Sequence, residues 1–201
     1  MNIQTVHNNT YSYLRQTNEI VPGVVEDNSY AWTFAPYSDF SSMTEVAMFI
    51  IALTEQCNLR CTYCCYSGEY IGNHQHNAHS LSEGDIAKIY SFIKRMAANR
   101  PIRICFYGGE PLLYFGTIQE VVAVVKQRKL NMTFGIITNG RALTDEMVRF
   151  FNAHQFSVCV SWDGPHVRET RGYDVFSVPE TRERILPLEH LCLSAVLSAR
   201  A

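Results

Sequence analysis

The chain has 201 residues, 47% of them hydrophobic and 18% charged, which excludes a disordered or collagen-like protein and suits one ordinary domain or most of a larger one. Its net charge is −2, and the Lys and Arg residues are scattered, so there is no electrostatic footprint for nucleic acid or an anionic membrane. Met1–Thr10 is polar and lacks the layout of a signal peptide, and the longest apolar run, about eight residues, falls short of the roughly 20 needed to cross a bilayer. A cytoplasmic location is the expectation. There, seven cysteines, an odd count, read as metal ligands and core residues rather than a disulfide framework.

Residues 1–45 show little periodicity and many Asn, Ser, Thr and Tyr; they read as an N-terminal extension with one strand or short helix. From residue 46 to 201 the pattern becomes regular. Val46–Leu53 is a continuous apolar run, as expected of a strand buried on both faces. Ser80-Leu81-Ser82-Glu83 offers a capping box, and Ile86, Ile89, Tyr90, Ile93, Met96 and Ala97 follow at helical spacing. Ile102–Tyr107 is a second strand, closed by Gly108-Gly109, and Ile118, Val121, Val122 and Val125 mark a second helix. Met132–Thr138 is a third strand, stopped by Asn139-Gly140. Thr144 is placed to cap a third helix, with Leu143 and Val148 as a hydrophobic staple. Phe156–Trp162 is a fourth strand, stopped by Asp163-Gly164-Pro165. A weaker helix around Glu180–Leu186, broken by Pro187, precedes a fifth strand at His190–Ser198.

Alternation of strand and helix at roughly 30-residue intervals implies βαβ units and a parallel sheet, an α/β fold. Ligands of such folds sit at the carboxyl ends of the strands. The unusual residues fall there four times: the cysteines after the first strand, Gly-Gly-Glu-Pro after the second, Thr-Asn-Gly after the third and Ser-Trp-Asp-Gly-Pro after the fourth. Four loops on one rim describe one site.

Cys57, Cys61 and Cys64 follow the spacing C-x3-C-x2-C. Three thiolates on one loop are an incomplete ligand set: they suit an iron–sulfur cluster with one open iron, or a zinc site completed by His74, His76 or His79. Cys65 is a neighbour rather than a further ligand. His74, His76 and His79 otherwise read as a solvated loop, and Cys105, Cys159 and Cys192, inside strands, as buried core residues. Gly108-Gly109 allows close approach of backbone to a ligand, and Glu110 offers a carboxylate acceptor for an ammonium group. A zinc knuckle has no use for these.

Together, Cys57-x3-Cys61-x2-Cys64, Gly108-Gly109-Glu110-Pro111, Thr138-Asn139-Gly140 and Ser161-Trp162-Asp163-Gly164-Pro165 resemble a radical S-adenosylmethionine (SAM) enzyme. More narrowly, the set resembles the peptide- and protein-modifying branch that includes sulfatase maturases and ribosomal-peptide maturases of the SPASM type. The resemblance covers residues 46–198 and implies an incomplete (β/α) barrel of about five parallel strands with helices outside. It implies that Cys57, Cys61 and Cys64 hold a [4Fe–4S] cluster whose fourth iron is chelated by SAM. Reductive cleavage of SAM would then yield a 5′-deoxyadenosyl radical that abstracts hydrogen from a peptide or protein, with an electron donor of flavodoxin or ferredoxin type as partner.

By the same resemblance Tyr63 matches a position contacting adenine, and Gly108, Gly109, Glu110 and Pro111 match the segment that takes the methionine ammonium. Ser161 matches a position touching SAM, and Arg171 an arginine that pairs with its carboxylate. Thr138 and Asn139 are further rim candidates. The family's barrel usually has six βα units and a C-terminal SPASM region; this chain ends at the fifth strand, so the expectation is the N-terminal part of a longer enzyme. The competing reading is a non-catalytic metal-binding or peptide-binding module with a Cys3His zinc or inert cluster.

Overall fold

The computed structural model describes residues 5–7, 11–14, 19–22, 48–67, 75–97 and 101–196. The chain divides into two units, Met1–Ser42 and Met43–Ala201. In the first, β1 (Thr5–His7), β2 (Tyr11–Leu14) and β3 (Glu19–Pro22) form an antiparallel sheet in that order. Val6 pairs with Tyr13 and Tyr13 with Ile20. Strands of three or four residues give too few alternations to register as a period, so a single element was expected where three are present.

The second unit runs β4 (Met48–Ala52), α1 (Glu83–Ala97), β5 (Ile102–Tyr107), α2 (Phe115–Gln127), β6 (Met132–Thr138), α3 (Asp145–Ala153), β7 (Ser157–Ser161), α4 (Val167–Arg171), α5 (Pro179–Ile185) and β8 (Leu191–Ser194). The five strands β4 to β8 are all parallel and neighbour one another in sequence order. That order lacks the reversal of a doubly wound sheet and is the arrangement of an open (β/α) barrel.

Alternate residues of each strand decide the layers. Ile51, Ile104, Phe106, Phe134, Ile136, Val158 and Val160 are buried in one cluster with Ile93 of α1, Ile118, Val121, Val122 and Val125 of α2, Met147, Val148 and Phe151 of α3 and Ile185 of α5. Phe156, just before β7, stacks on Phe134 at 5.2 Å and lies 6.1 Å from Phe106, centroid to centroid. The other sheet face carries Met48, Ile50, Arg103 and Tyr107, all exposed. The apolar run at β4 is therefore not buried on both faces: β4 is an edge strand, and Ile50 is 59% exposed.

Two helix starts show how local chemistry sets boundaries. Thr144 caps α3, its Oγ1 accepting from Met147 N. The capping box of α1 lies two residues later than Ser80 suggested. Ser82 Oγ accepts from Asp85 N while the Asp85 carboxylate accepts from Ser82 N at 3.2 Å, and Ser80 instead bridges to Thr54. The short α4, which carries Arg171, has no counterpart in the sequence reading; five residues are too few for a helical period. Val46, Ala47, Leu197 and Ser198 and the side chains of Met96 and Ala97 lie outside the described residues. Among the described residues, no helix is long and apolar enough to cross a membrane.

Candidate metal and cofactor site

The carboxyl ends of the five strands enclose a cavity of ≈ 410 Å³. Cys57, Cys61, Tyr63, Cys64 and Cys65 line it from the loop after β4, Gly108, Gly109 and Glu110 from the end of β5, and Ile137, Thr138 and Asn139 from β6. Tyr66, Tyr107, Ser161, Arg171, Ser194, Ala195 and Val196 complete the wall. A cavity of similar size, ≈ 420 Å³, between β4 and α1 is lined by apolar groups such as Phe49, Ile89 and Phe92 with Lys88, and assembles no reactive set.

The cysteine loop has no regular structure and is shaped by hydrogen bonds. Thr62 N donates to Thr170 O at 2.8 Å, Ser67 N to Cys64 O at 2.9 Å, and His76 N to Tyr66 O at 2.9 Å. Two of the sulfurs already receive backbone donors: Leu59 N to Cys57 Sγ and Tyr66 N to Cys64 Sγ, each at 3.4 Å. Burial pushes the Cys57 and Cys61 thiols up, Arg171 partly opposing this at Cys61. Among the described residues no three His, Cys, Asp or Glu side chains converge on a point that could hold a single ion. Tetrahedral zinc needs such convergence, whereas the ligands of a cluster bind separate irons. His74 lies outside the described residues. His79 is exposed and sits 3.5 Å from the Glu55 carboxylate. His76, expected in a solvated loop, is half-buried, with Nε2 3.7 Å from Cys64 Sγ and Nδ1 3.2 Å from Glu55 O.

The Gly-Gly-Glu-Pro segment departs from its expected use. A Cβ at Gly108, whose φ is +120°, would lie 2.5 Å from Thr54 O, and one at Gly109 would overlap the Gln56 carbonyl. The close approach these glycines permit is thus to the chain entering the cysteine loop: Gly109 N donates to Thr54 O and Glu110 N to Gln56 O, both at 2.7 Å. Glu110 is 1% exposed and its carboxylate is engaged three times. Oε1 accepts from Leu112 N at 3.0 Å and from Thr138 Oγ1 at 2.6 Å, and Oε2 accepts from Asn139 N at 2.8 Å. Burial raises its pKa against the pull of those donors. It anchors the rim from inside, with three donors on its two oxygens, and lines the cavity. Pro111 does not line the cavity; it is buried at the start of a 3₁₀ turn, Pro111–Tyr114, that Glu110 caps.

Arg171 likewise already has a partner. Its Nε and Nη2 donate to Asp163 Oδ2 and Oδ1 at 2.8 and 3.0 Å. Asp163 also accepts from Tyr63 OH at 2.6 Å, Thr170 Oγ1 at 2.7 Å and Val196 N at 3.0 Å. Burial alone would raise this carboxyl; the donors from Arg171, Tyr63, Val196 and Thr170 bring it down to about 2. Burial and the bond to Asp163 push the Tyr63 phenol well above its ordinary value, and the Arg171 guanidinium lies 5.3 Å from its ring centroid. Two of the guanidinium's donors are thus engaged by a protein carboxylate, and Arg171 lines the cavity.

Ser161 sits half-buried in the wall, its Oγ 3.5 Å from Ser194 Oγ on the next strand. Thr138 Oγ1 also accepts from Gly140 N at 2.9 Å. Sequence reasoning missed Asp163, quoted in its motif without a role, and Tyr66, Tyr107, Ser194, Ala195 and Val196, which carry no motif. Of the presumed core cysteines only Cys105 is buried; Cys159 is half-exposed and Cys192 exposed, paired in register on the face the helices leave bare.

The Radical SAM superfamily profile matches residues 51–186. The cysteine-type anaerobic sulfatase-maturating enzyme of Clostridium novyi is 30% identical over 128 residues, 61% of this chain and 33% of that protein. The radical SAM cyclopropyl synthase TigE of Paramaledivibacter caminithermalis is 29% identical over 126 residues, 58% of this chain and 27% of that protein. The chain thus spans about a third of the length of these relatives. The structure of native anSMEcpe with bound AdoMet superimposes with a TM-score of 0.62 at 25% identity, covering 78% of this chain and 46% of the other. With its profile over most of the chain and its open (β/α) sheet, this chain belongs to the radical SAM superfamily.

Proposed function

We propose that this chain supplies the cofactor-binding part of a radical SAM enzyme acting on a peptide or protein. Cys57, Cys61 and Cys64 would hold a [4Fe–4S] cluster at the rim cavity, with SAM bound beside it. When bound, these groups supply the electron and the carbon-centred radical needed for hydrogen abstraction. The observation that carries the reading is the meeting of all three cysteines with the ends of β5, β6, β7 and β8 around one cavity.

The residues divide the work. Tyr63 presents its ring to the cavity while Asp163 fixes its hydroxyl. Gly108 and the paired Ser161 and Ser194 hydroxyls line the cavity where the polar parts of SAM would lie; Thr138 meets it from a hydroxyl already bonded to Glu110. Arg171 bears on SAM through its place in the wall and its ion pair with Asp163. A peptide substrate is supported by the sulfatase-maturating relatives; a nucleotide dehydratase of Pseudoalteromonas ulvae, 28% identical over 131 residues, marks the other substrate class in the same superfamily. A one-electron donor of flavodoxin or ferredoxin type and a cytoplasmic setting complete the reading.

Anaerobic reconstitution with iron and sulfide tests it. The expected result is iron and sulfide in the proportion of [4Fe–4S], and a paramagnetic signal after reduction that changes when SAM is added. Stoichiometric zinc without that signal, or a Cys61→Ala variant that keeps the cluster, would overturn it.

A further inference from the structure

Asn139, expected on the rim as a cofactor contact, lines the cavity with its side-chain amide bonded to other protein groups. It is 7% exposed. Its Oδ1 accepts from Arg141 N at 2.9 Å, which fixes the amide flip and turns Nδ2 towards the cysteine loop. The two hydrogens there have two acceptors: Asn58 Oδ1 at 2.8 Å and Cys57 Sγ at 3.7 Å. Asn139 N is held by the buried Glu110 carboxylate, itself fixed by Thr138 and Leu112. The amide therefore cannot swing away from the sulfur without giving up its two other bonds, to Asn58 and from Arg141 N.

Resting on the cluster assignment above, we infer that Asn139 is a positioning residue: its amide donates to the Cys57 thiolate and raises the reduction potential of the cluster held there. A donor aimed at a ligand sulfur stabilises the more negative reduced state, and hydrogen bonds to sulfur are among the protein's main levers on cluster potential. Glu110 acts one step further out, through Asn139. The Gly-Gly-Glu-Pro and Thr-Asn-Gly loops thus reach the cluster through a single chain of bonds, Glu110 to Asn139 to Cys57. Among the described hydrogen bonds Cys61 Sγ has no donor, while Cys64 Sγ has Tyr66 N at 3.4 Å and His76 Nε2 at 3.7 Å.

The test is a potentiometric titration of the anaerobically reconstituted chain, read by electron paramagnetic resonance without SAM. Asn139→Leu keeps the bulk and removes the donor; it is expected to load iron normally and to show about tenfold less reduced cluster at a fixed potential, a lowering of about 59 mV for one electron. Asn139→Asp, which keeps the acceptor for Arg141 N, should shift in the same direction, so failure of one variant to fold leaves the other decisive. Asn58→Ala removes the neighbouring bond and not the one to sulfur, and should titrate as wild type. Electron–nuclear double resonance on reduced wild type carrying 15N-labelled asparagine should show a coupling that Asn139→Leu abolishes. Wild-type potentials in both Asn139 variants, or an equal shift in Asn58→Ala, would overturn the inference while leaving the cluster assignment standing. A wild-type chain that forms no [4Fe–4S] cluster would overturn both.

Discussion

Arg171 grips Asp163 with two prongs, Nε to Oδ2 at 2.8 Å and Nη2 to Oδ1 at 3.0 Å, with 9% and 2% of the two side chains exposed. The same carboxylate binds Tyr63 of the cysteine loop, Thr170 of α4 and the backbone of Val196 beyond β8. One anion thus ties together four segments that form the cavity wall, and the cysteine loop inherits its position from an ion pair about 100 residues further along the chain.

Asp163→Ala is expected to destabilise the larger unit by about 3–5 kcal/mol, because it strands a buried guanidinium without its partner. Urea unfolding measures this. The double variant Asp163→Ala/Arg171→Leu should recover part of the loss, since no unpaired charge remains; equal losses in the two variants would show that the ion pair is not the cause.

Acid should expose the same carboxylate. Its folded-state pKa of about 2 lies below the ordinary 3.8, so its contribution is complete above the ordinary value and is lost as pH falls through the folded value. The shift corresponds to roughly 2 kcal/mol. The stability difference between wild type and Asp163→Asn should therefore shrink by that amount between roughly pH 6 and pH 2, measured by urea unfolding at each pH. A difference that is constant with pH contradicts the assignment.

Three glycines should respond in opposite directions. Gly108→Ala and Gly109→Ala push a methyl into backbone at Thr54 and Gln56 and should cost about 1–3 kcal/mol each and loosen the cysteine loop. Gly116→Ala in α2 meets nothing within 4 Å and should stabilise by about 0.5–1 kcal/mol. Thermal unfolding of the three variants separates a local clash from a general intolerance of substitution.

Thr138→Val removes the hydroxyl that donates to Glu110 Oε1 and accepts from Gly140 N, leaving a buried carboxylate one donor short. The expected cost is about 1–3 kcal/mol. Glu110→Gln, which sets an amide N–H2 against existing donors, should cost at least as much. Unfolding midpoints in guanidinium provide the check.

The bare sheet face predicts poor solubility of the 201-residue chain on its own. On that face of one edge strand Ile50 is 59% and Met48 47% exposed, and on the opposite face of the other edge strand Leu193 is 49% exposed. Exposed apolar edges invite pairing between chains. Light scattering at micromolar concentration should fall in Ile50→Thr; a monodisperse wild-type sample would count against the prediction.

Much of this architecture was legible in the sequence. Strand and helix periods placed β5 and β6 to the residue and α2 by its four buried positions, because periodicity is a property of neighbouring side chains. The edge character of β4 was not legible, since a continuous apolar run looks the same whether one face or two are covered. The box on α1 was misplaced because Asp85 answers Ser82 as Glu83 was expected to answer Ser80.

For the site, the sequence by itself determined the cysteine triplet, the four rim loops and their convergence at one end of a parallel sheet, since spacing and topology follow from local order along the chain. It could not determine what each polar side chain binds. The motifs gave no sign that folding brings Asp163 to Arg171 and Thr138 and Asn139 to Glu110. Those pairings join residues on different elements, and a buried charge takes whichever partner the packed structure places within hydrogen-bond reach. Only the tertiary structure decided that these motif residues hold the rim together, and that Asn139 faces a sulfur.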